Sequence, residues 1–329
     1  MPELAFFTRV LDDVSAPERY RLAIEQIREA ERLGFDSAWV AQHHFHRDEG
    51  GLPSPLVLLA AAAAQTRRIR LGTGIITLGM ENAVRTAEDA AVLDAISGER
   101  LELGFGSGGT PGSFPAFGLE FADRHRAFDD NFQTLRSALR GAKFGATENL
   151  LYPPAPTLAE RLWFATFTPP LAGRAGREGL GLQLSRSQPR SPENPEASLA
   201  DLQHPIIDAY EAALPEGAPR RVSVARSVFV ADDNEAARAL AERRYRAAPL
   251  ARVVLGDQVD TLERDDLLRK LDVHVGDVDT VVASLGADSV LNRATQLSFQ
   301  VHSMDPEHAL ILRSLELLIG EVAPRLGWR

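Results

Sequence analysis

Two hydrophobic periods take turns along this chain. Leu4 to Phe7 is an apolar run of strand length, and Ala16 to Leu33 carries Ala23, Ile27 and Ala30 at helical spacing until Gly34 and Phe35 stop it. Ser37 to Ala41 then alternates as a half-buried strand does. The theme repeats with a helix from about Pro53 to Gln65, a strand over Ile69 to Leu78, a helix from about Ala83 to Ile96 and a strand over Leu101 to Phe105. In the second half, helices read over 125–140, Leu171 to Glu178 and Asp201 to Ala213. Strands read over Leu162 to Ala165, Leu180 to Leu184, Val222 to Ala231 and Thr295 to Val301.

Eight strands alternating with helices predict an α/β protein of the closed parallel (β/α)8 TIM-barrel type, whose active site lies at the carboxyl ends of the strands. Two stretches interrupt the repeat. Gly106 to Phe121 holds five glycines and two prolines, and Ser185 to Pro195 holds three prolines. Both fall where strand-to-helix loops cover such a site, so they are candidate lids inserted at the C-terminal face. Arg246 to Val275 reads as a mostly helical insertion between the last two strands. Nothing in the pattern calls for a second domain, so residues 1–329 are read as one barrel domain.

Composition narrows the chemistry. The 329 residues are 44% hydrophobic and 25% charged, the make-up of a soluble globular enzyme, and the net charge of -10 argues against nucleic-acid or anionic-membrane partners. There is no cysteine, so disulfides, thiolate nucleophiles, Cys-ligated zinc and iron–sulfur clusters drop out. Redox chemistry must then come from a bound cofactor. MPELAFFTRV lacks a basic n-region and reads as a first strand, and the apolar run Leu56 to Ala64 is too short to span a bilayer. The cytoplasm is the expected compartment.

The second strand runs directly into His43, His44 and His46. If the extended conformation persists that far, His44 and His46 share one side and His43 takes the other. Two chemistries stay open on that geometry. One is a metal pair of the His-x-His type at His44 and His46, and the other is a lone catalytic imidazole at His43.

The runs AERLGFDSAWVAQHHF, LGTGIITLGMENAVRTAEDAAVLDAISGERLELGFGSGG and FQVHSMDPEHALILRSLELLIGEVAPRLGW resemble the bacterial luciferase-like monooxygenases, flavin-dependent enzymes on a luciferase-like (β/α)8 barrel. The likeness covers essentially the whole chain. LSRSQPR, Leu184 to Arg190, is similar to the FMN-dependent branch of that group. The resemblance implies that His43 is the histidine beside the flavin, a base or a stabiliser of the intermediate, and hence the catalytic residue. It implies that Thr73, Gly74 and Ile75 form the strand-three segment that carries a non-prolyl cis peptide against the flavin ring. Departures from the pattern are also plain. Gln42 replaces an acidic residue before the histidine pair, and Ser107 replaces the arginine that luciferase uses on the flavin phosphate. Thr166 and Thr168 remain as hydroxyl donors, while Pro169 and Pro170 supply no N–H, leaving the following helix end, Arg174 or Arg186 to meet the phosphate.

The chemistry this implies is oxygenation of a small organic substrate with reduced FMN and dioxygen through a flavin peroxy adduct, kept from water in a dry pocket. Phe7, Phe45, Phe105, Trp163 and Phe167 lie near strand ends and are candidates for its walls. No nicotinamide-binding glycine motif follows strand one, so a separate flavin reductase is the expected source of reduced FMN. A deazaflavin is the other cofactor the broad family uses. Relatives pair through the helices at 53–65 and 83–96, which here are rich in alanine, so a homodimer is expected. Two rival readings are a flavin-binding barrel without catalysis and a metal-dependent TIM-barrel hydrolase. The hydrolase needs His302 and Asp305 to join His44 and His46.

Overall fold

The computed structural model describes residues 1–191, 193–301 and 306–329. Ten strands form one parallel sheet among these: β1 (Glu3–Thr8), β2 (Ser37–Val40), β3 (Arg70–Thr73), β4 (Ile76–Thr77), β5 (Leu101–Gly106), β6 (Leu162–Ala165), β7 (Gly181–Leu184), β8 (Val222–Val230), β9 (Val273–Gly276) and β10 (Gln296–Gln300). β10 pairs with both β1 and β8, which closes the sheet into the (β/α)8 barrel that the alternating periods predict. Two strands differ from that reading. The single run expected over Ile69 to Leu78 is broken into β3 and β4 by a cis peptide between Gly74 and Ile75. The helical insertion ends in β9, which pairs with the carboxyl half of β8 outside the ring.

The helices on the outside are α1 (Ala16–Leu33), α2 (Pro55–Ala63), α3 (Ala83–Ser97), α4 (Arg124–Leu139), α5 (Pro169–Arg177) and α6 (Leu199–Ala213). They continue as α7 (Asn234–Ala247), α8 (Pro249–Leu255), α9 (Gln258–Thr261), α10 (Arg264–Lys270), α11 (Val278–Gly286) and α12 (His308–Leu317). α1 stops where the sequence says, because Gly34 takes the left-handed conformation with φ 95° and its N–H closes the last turn on Ala30 and Glu31.

Strand alternation divides the apolar residues into two cores. Leu4, Phe6, Leu71, Leu103, Phe105, Phe164, Leu182, Val224, Leu297 and Phe299 point outward and pack against the helices. Ala5, Trp39 and Trp163 point inward, with Phe7 above them, and form a separate cluster inside the barrel. The two indoles meet edge to face at 5.7 Å. Each lies on a glycine of a neighbouring strand: a Cβ at Gly72 would sit 2.3 Å from the Trp39 ring, and one at Gly181 2.3 Å from the Trp163 ring. Trp163 donates its indole N–H to the buried carboxylate of Glu102, which is also paired with Arg70. The inner floor is thereby filled, and any ligand must sit above it, at the carboxyl ends of the strands.

Candidate active site at the barrel mouth

Above the tryptophan floor the two sides of the mouth differ in chemistry. On one side the inward positions of β5 and β6 and of the break after β3 are small: Gly74, Gly106 and Ala165. A Cβ on Gly74 would meet the Phe7 ring at 3.1 Å, and one on Gly106 would meet Ile75 at 3.2 Å. The result is a face lined by backbone at Gly74 and Gly106, edged by Phe7 and Ile75. Gln42 pins this segment to β2. Its backbone N–H reaches the Ile75 carbonyl at 3.3 Å, its side-chain oxygen accepts from the Thr77 N–H at 2.8 Å, and its amide donates to Glu81 at 2.6 Å. A neutral amide that both accepts and donates does this work, and a carboxylate at position 42 would face Glu81 with like charge.

The opposite side carries cations and an imidazole. The loop after β2 does not continue the strand: Phe45 has φ 66°, and the His46 N–H returns to the His44 carbonyl at 2.8 Å. The alternation expected through His46 therefore fails, and the three histidines separate. His43 is held inward by its N–H on the Leu52 carbonyl, His44 packs edge-on against Phe117 at 4.8 Å, and His46 is exposed. Arg9 Nη2 lies 3.4 Å from His43 Nε2. Because a guanidinium only donates, Nε2 is the acceptor and the ring proton belongs on Nδ1. Nδ1 is buried without a hydrogen-bond partner, and a Cβ on Gly50 would come within 2.5 Å of it. Burial first, then the Arg9 and Arg186 guanidiniums and His44, push the His43 imidazole down to about 3. It is neutral at physiological pH, so in this state it accepts a hydrogen bond at Nε2 and is neither a ready acid nor a strong base.

Arg186 is only 8% exposed and donates to Ser227 Oγ at 3.2 Å, and among the described residues no carboxylate pairs with it. A buried guanidinium without a counter-ion is an anion site by electrostatics. Other expected phosphate ligands fare differently. Arg174 is committed to Asp129 at 2.5 Å and Glu178 at 2.8 Å, which removes it as a replacement for the missing luciferase arginine. α5 begins at Pro169 with Pro170 second, so the helix end lacks two of its N–H groups and is a poor anion cradle. Thr166 is buried and its hydroxyl accepts from the Thr168 N–H at 3.1 Å, while Thr168 and Phe167 are exposed. Ser107 is half-buried at the end of β5. Thr73 exchanges hydrogen bonds of 2.9 Å with both backbone groups of Gly104, so its hydroxyl serves the barrel and is not offered to a ligand.

The luciferase-like monooxygenase family profile matches residues 4–287, most of the chain. The chain belongs to that family. Membership makes it an oxidoreductase. An uncharacterized protein, y4vJ, of Sinorhizobium fredii is 25% identical over 92% of this chain and 91% of its own length. The crystal structure of the monooxygenase RslO1 from Streptomyces bottropensis superposes with a TM-score of 0.80 at 26% identity, covering 98% of this chain and 99% of that one. Two more distant structures share the fold alone. One is the oxygenating constituent of 3,6-diketocamphane monooxygenase from Pseudomonas putida in complex with FMN, with a TM-score of 0.79, 20% identity and coverage of 99% and 98%. The other is the coenzyme F420-dependent tetrahydromethanopterin reductase from Methanopyrus kandleri, with a TM-score of 0.71, 18% identity and 99% coverage of both chains.

In this luciferase-like barrel the mouth is bordered by the loops expected as lids. The stretch after β5 is more ordered than its glycine and proline content suggests, folding into 3₁₀ turns at Pro111–Phe117 and Phe121–Asp123. Phe117 there meets Phe45 at 5.9 Å and His44 at 4.8 Å, which ties the two loops together beside the mouth. The stretch after β7, of which Pro192 lies outside the described residues, is tethered by Arg190 to Asp272 at 2.7 Å and by Gln188 to the Phe167 carbonyl at 3.0 Å. Of the proposed aromatic walls, Phe7 and Trp163 are inside the barrel, whereas Phe105 faces the helices beside Phe132 and does not reach the mouth. Among the described residues no three His, Cys, Asp or Glu side chains converge to hold a metal; His302 and Asp305 lie outside the described residues.

The sequence reading missed Arg9, Arg19 and the role of Gly50. Arg19 projects from the first turn of α1 into a pocket of about 330 Å³ whose wall it shares with His43, Val14, Ala16, His46 and Gly51. An isolated arginine in an amphipathic helix carries no sequence signal of that placement.

Proposed function

We propose that this chain is a flavin-dependent monooxygenase that uses reduced FMN and dioxygen to oxygenate a small organic substrate, with His43 as its catalytic residue. The observation that carries the reading is the pairing of the small-residue backbone face at Gly74 and Gly106 with the neutral His43 imidazole and with Arg186, a cation that no described carboxylate pairs, around one mouth. A planar, anionic cofactor fits this arrangement. Phe7, Gly74 and Ile75 would receive the ring, and Arg186, helped by the hydroxyls of Ser107, Thr166 and Thr168, would receive its negative groups. Reduced flavin supplies two electrons, so that one atom of dioxygen goes to the substrate and the other leaves as water.

The residues of the chain supply the rest. Trp39, Trp163 and Phe7 keep water from below, and the Phe45–Phe117 contact narrows the approach from the side. His43 has one acceptor lone pair, at Nε2, which Arg9 occupies in this state and which a proton donor at the reacting centre would take in its place. We take the whole chain as one barrel unit acting in the cytoplasm, with a separate reductase providing the reduced flavin. No described helix is long and apolar enough to cross a membrane. We also propose a homodimer through α2 and α3. Most alanines of these helices, Ala62, Ala63, Ala87, Ala90 and Ala91 among them, are buried against the barrel, but Val57, Val92 and Ile96 are exposed on the outer face. A monomer's mass by light scattering contradicts the dimer.

Titrating the protein with FMN, riboflavin and deazaflavin F420 tests the cofactor. FMN is expected to bind more tightly than riboflavin, and NADH alone is expected to give no flavin reduction. Tighter binding of F420 than of FMN, or NADH-driven turnover by the pure protein, contradicts the reading.

A further inference from the structure

A pocket adjoins His43. It is an open pocket of about 330 Å³ between the first turn of α1 and the loop after β2, of ligand size. Arg19 is its charged wall. The residue is 5% exposed, and among the described residues its hydrogen bonds both come from Nη1, to the Arg47 carbonyl at 2.9 Å and the Val10 carbonyl at 3.5 Å. Nε and Nη2 make no hydrogen bond to the described residues. No carboxylate lies within ion-pair distance of Arg19 among them; burial holds the carboxyl of nearby Asp12 above its usual range, against the pull of His308 and of Arg19 itself. The pocket is also bordered by Val14 and Ala16, at the amino end of the 18-residue helix α1, where Ser15 gives no side-chain cap. The positive end of the helix and an incompletely bonded buried guanidinium thus face the same space. Nε and Nη2 are accessible from the pocket, and an anion there would meet them with charge-assisted hydrogen bonds.

We propose that this pocket is the substrate pocket, that it takes a small organic acid, and that Arg19 binds the carboxylate. The proposal rests on the monooxygenase reading for the word substrate, because His43 is the wall that this cavity shares with the barrel mouth. Its carboxylate preference does not depend on that reading. Gly50 and Gly51 belong to the same wall: a Cβ on Gly51 would press on the Val10 carbonyl at 2.5 Å and approach Arg19 Nη1 at 3.1 Å. The two glycines keep the loop low enough for both the arginine and the imidazole to be reached. A carboxylate on Arg19 leaves the rest of a small molecule directed along the wall that ends at His43.

Calorimetry on the full-length protein without flavin tests the pocket, using acetate, benzoate, phenylacetate and octanoate beside their matched amides. At least one carboxylate is expected to bind saturably, to weaken as salt is added, and to bind at least tenfold better than its amide. Arg19→Gln is expected to abolish that preference. Ala16→Phe, at an exposed position on the pocket wall, is expected to weaken the carboxylate while leaving thermal unfolding unchanged, and it serves if Arg19→Gln fails to fold. Amides binding as well as acids, absence of binding across the set, or an unchanged affinity in Ala16→Phe overturns the proposal. FMN titration on the same samples is read separately, so loss of flavin binding there counts against the monooxygenase reading and not against the pocket.

Discussion

Histidine 43 shows how a side chain's surroundings decide its chemistry. An imidazole in water titrates near 6.5, but here burial and the charges of Arg9 and Arg186 push it down to about 3. Its contribution is therefore that of a neutral acceptor. Replacing it by alanine removes the acceptor and leaves the barrel floor untouched, so His43→Ala is expected to fold and bind FMN as before. Oxygenation is expected to fall by about 10²- to 10³-fold, the span usual for loss of one positioned hydrogen-bonding group at a reacting centre. Peroxide release is expected to rise in step. An oxygenation rate within twofold of wild type in His43→Ala contradicts the catalytic role. That His43 lies at the carboxyl end of a strand was legible in the sequence, while its catalytic role and the anion-binding role of Arg186 are proposals. The commitments of Thr73 and Arg174 were not legible: whether a hydroxyl is spent on Gly104, or a guanidinium on Asp129 and Glu178, depends on contacts between segments far apart in the chain.

At the scale of elements, the strands and most helices followed from hydrophobic period because each buries one face on the barrel. The differences have local causes. An apolar run over Ile69 to Leu78 carries no mark of the cis bond that divides β3 from β4, apart from Gly74 itself. β9 is four residues long and follows the short helix α10 after only a turn, too brief for alternation to show. The segments that form α7 and α11 carry good caps at Asp233 and Asp277, whose side chains accept from Ala236 and Thr280, yet the sequence reading passed over them. The loop after β2 is the most consequential case. A positive φ at Phe45 turns the chain, so the His-x-His pairing of His44 and His46 that alternation suggested does not form, and a hydrolase reading loses its starting pair.

For the whole molecule, two buried histidines set an acid limit. His43 is pushed down to about 3, and His274, buried beside the Arg226–Asp288 ion pair, is pushed down to about 4. Both titrate near 6.5 in an unfolded chain. Between these values the unfolded state binds more protons than the folded one, so stability is fully present above about pH 6.5 and is lost as the pH falls. His274→Gln is expected to flatten the dependence of Tm on pH between about 6.5 and 4; a curve parallel to wild type contradicts this. For His43, though not for His274 on β9, the same enclosure is what the proposed function requires, a mouth from which water would be held back above a floor of Trp39 and Trp163. The central claim is therefore that the barrel holds reduced FMN where oxygen chemistry is protected from water. Stopped-flow mixing of the protein loaded with reduced FMN against dioxygen tests it most directly, with hydrogen peroxide release followed in time and no substrate added. The account predicts that wild-type protein releases peroxide at least tenfold more slowly than free reduced FMN under the same conditions. Release as fast as that of the free flavin would contradict it.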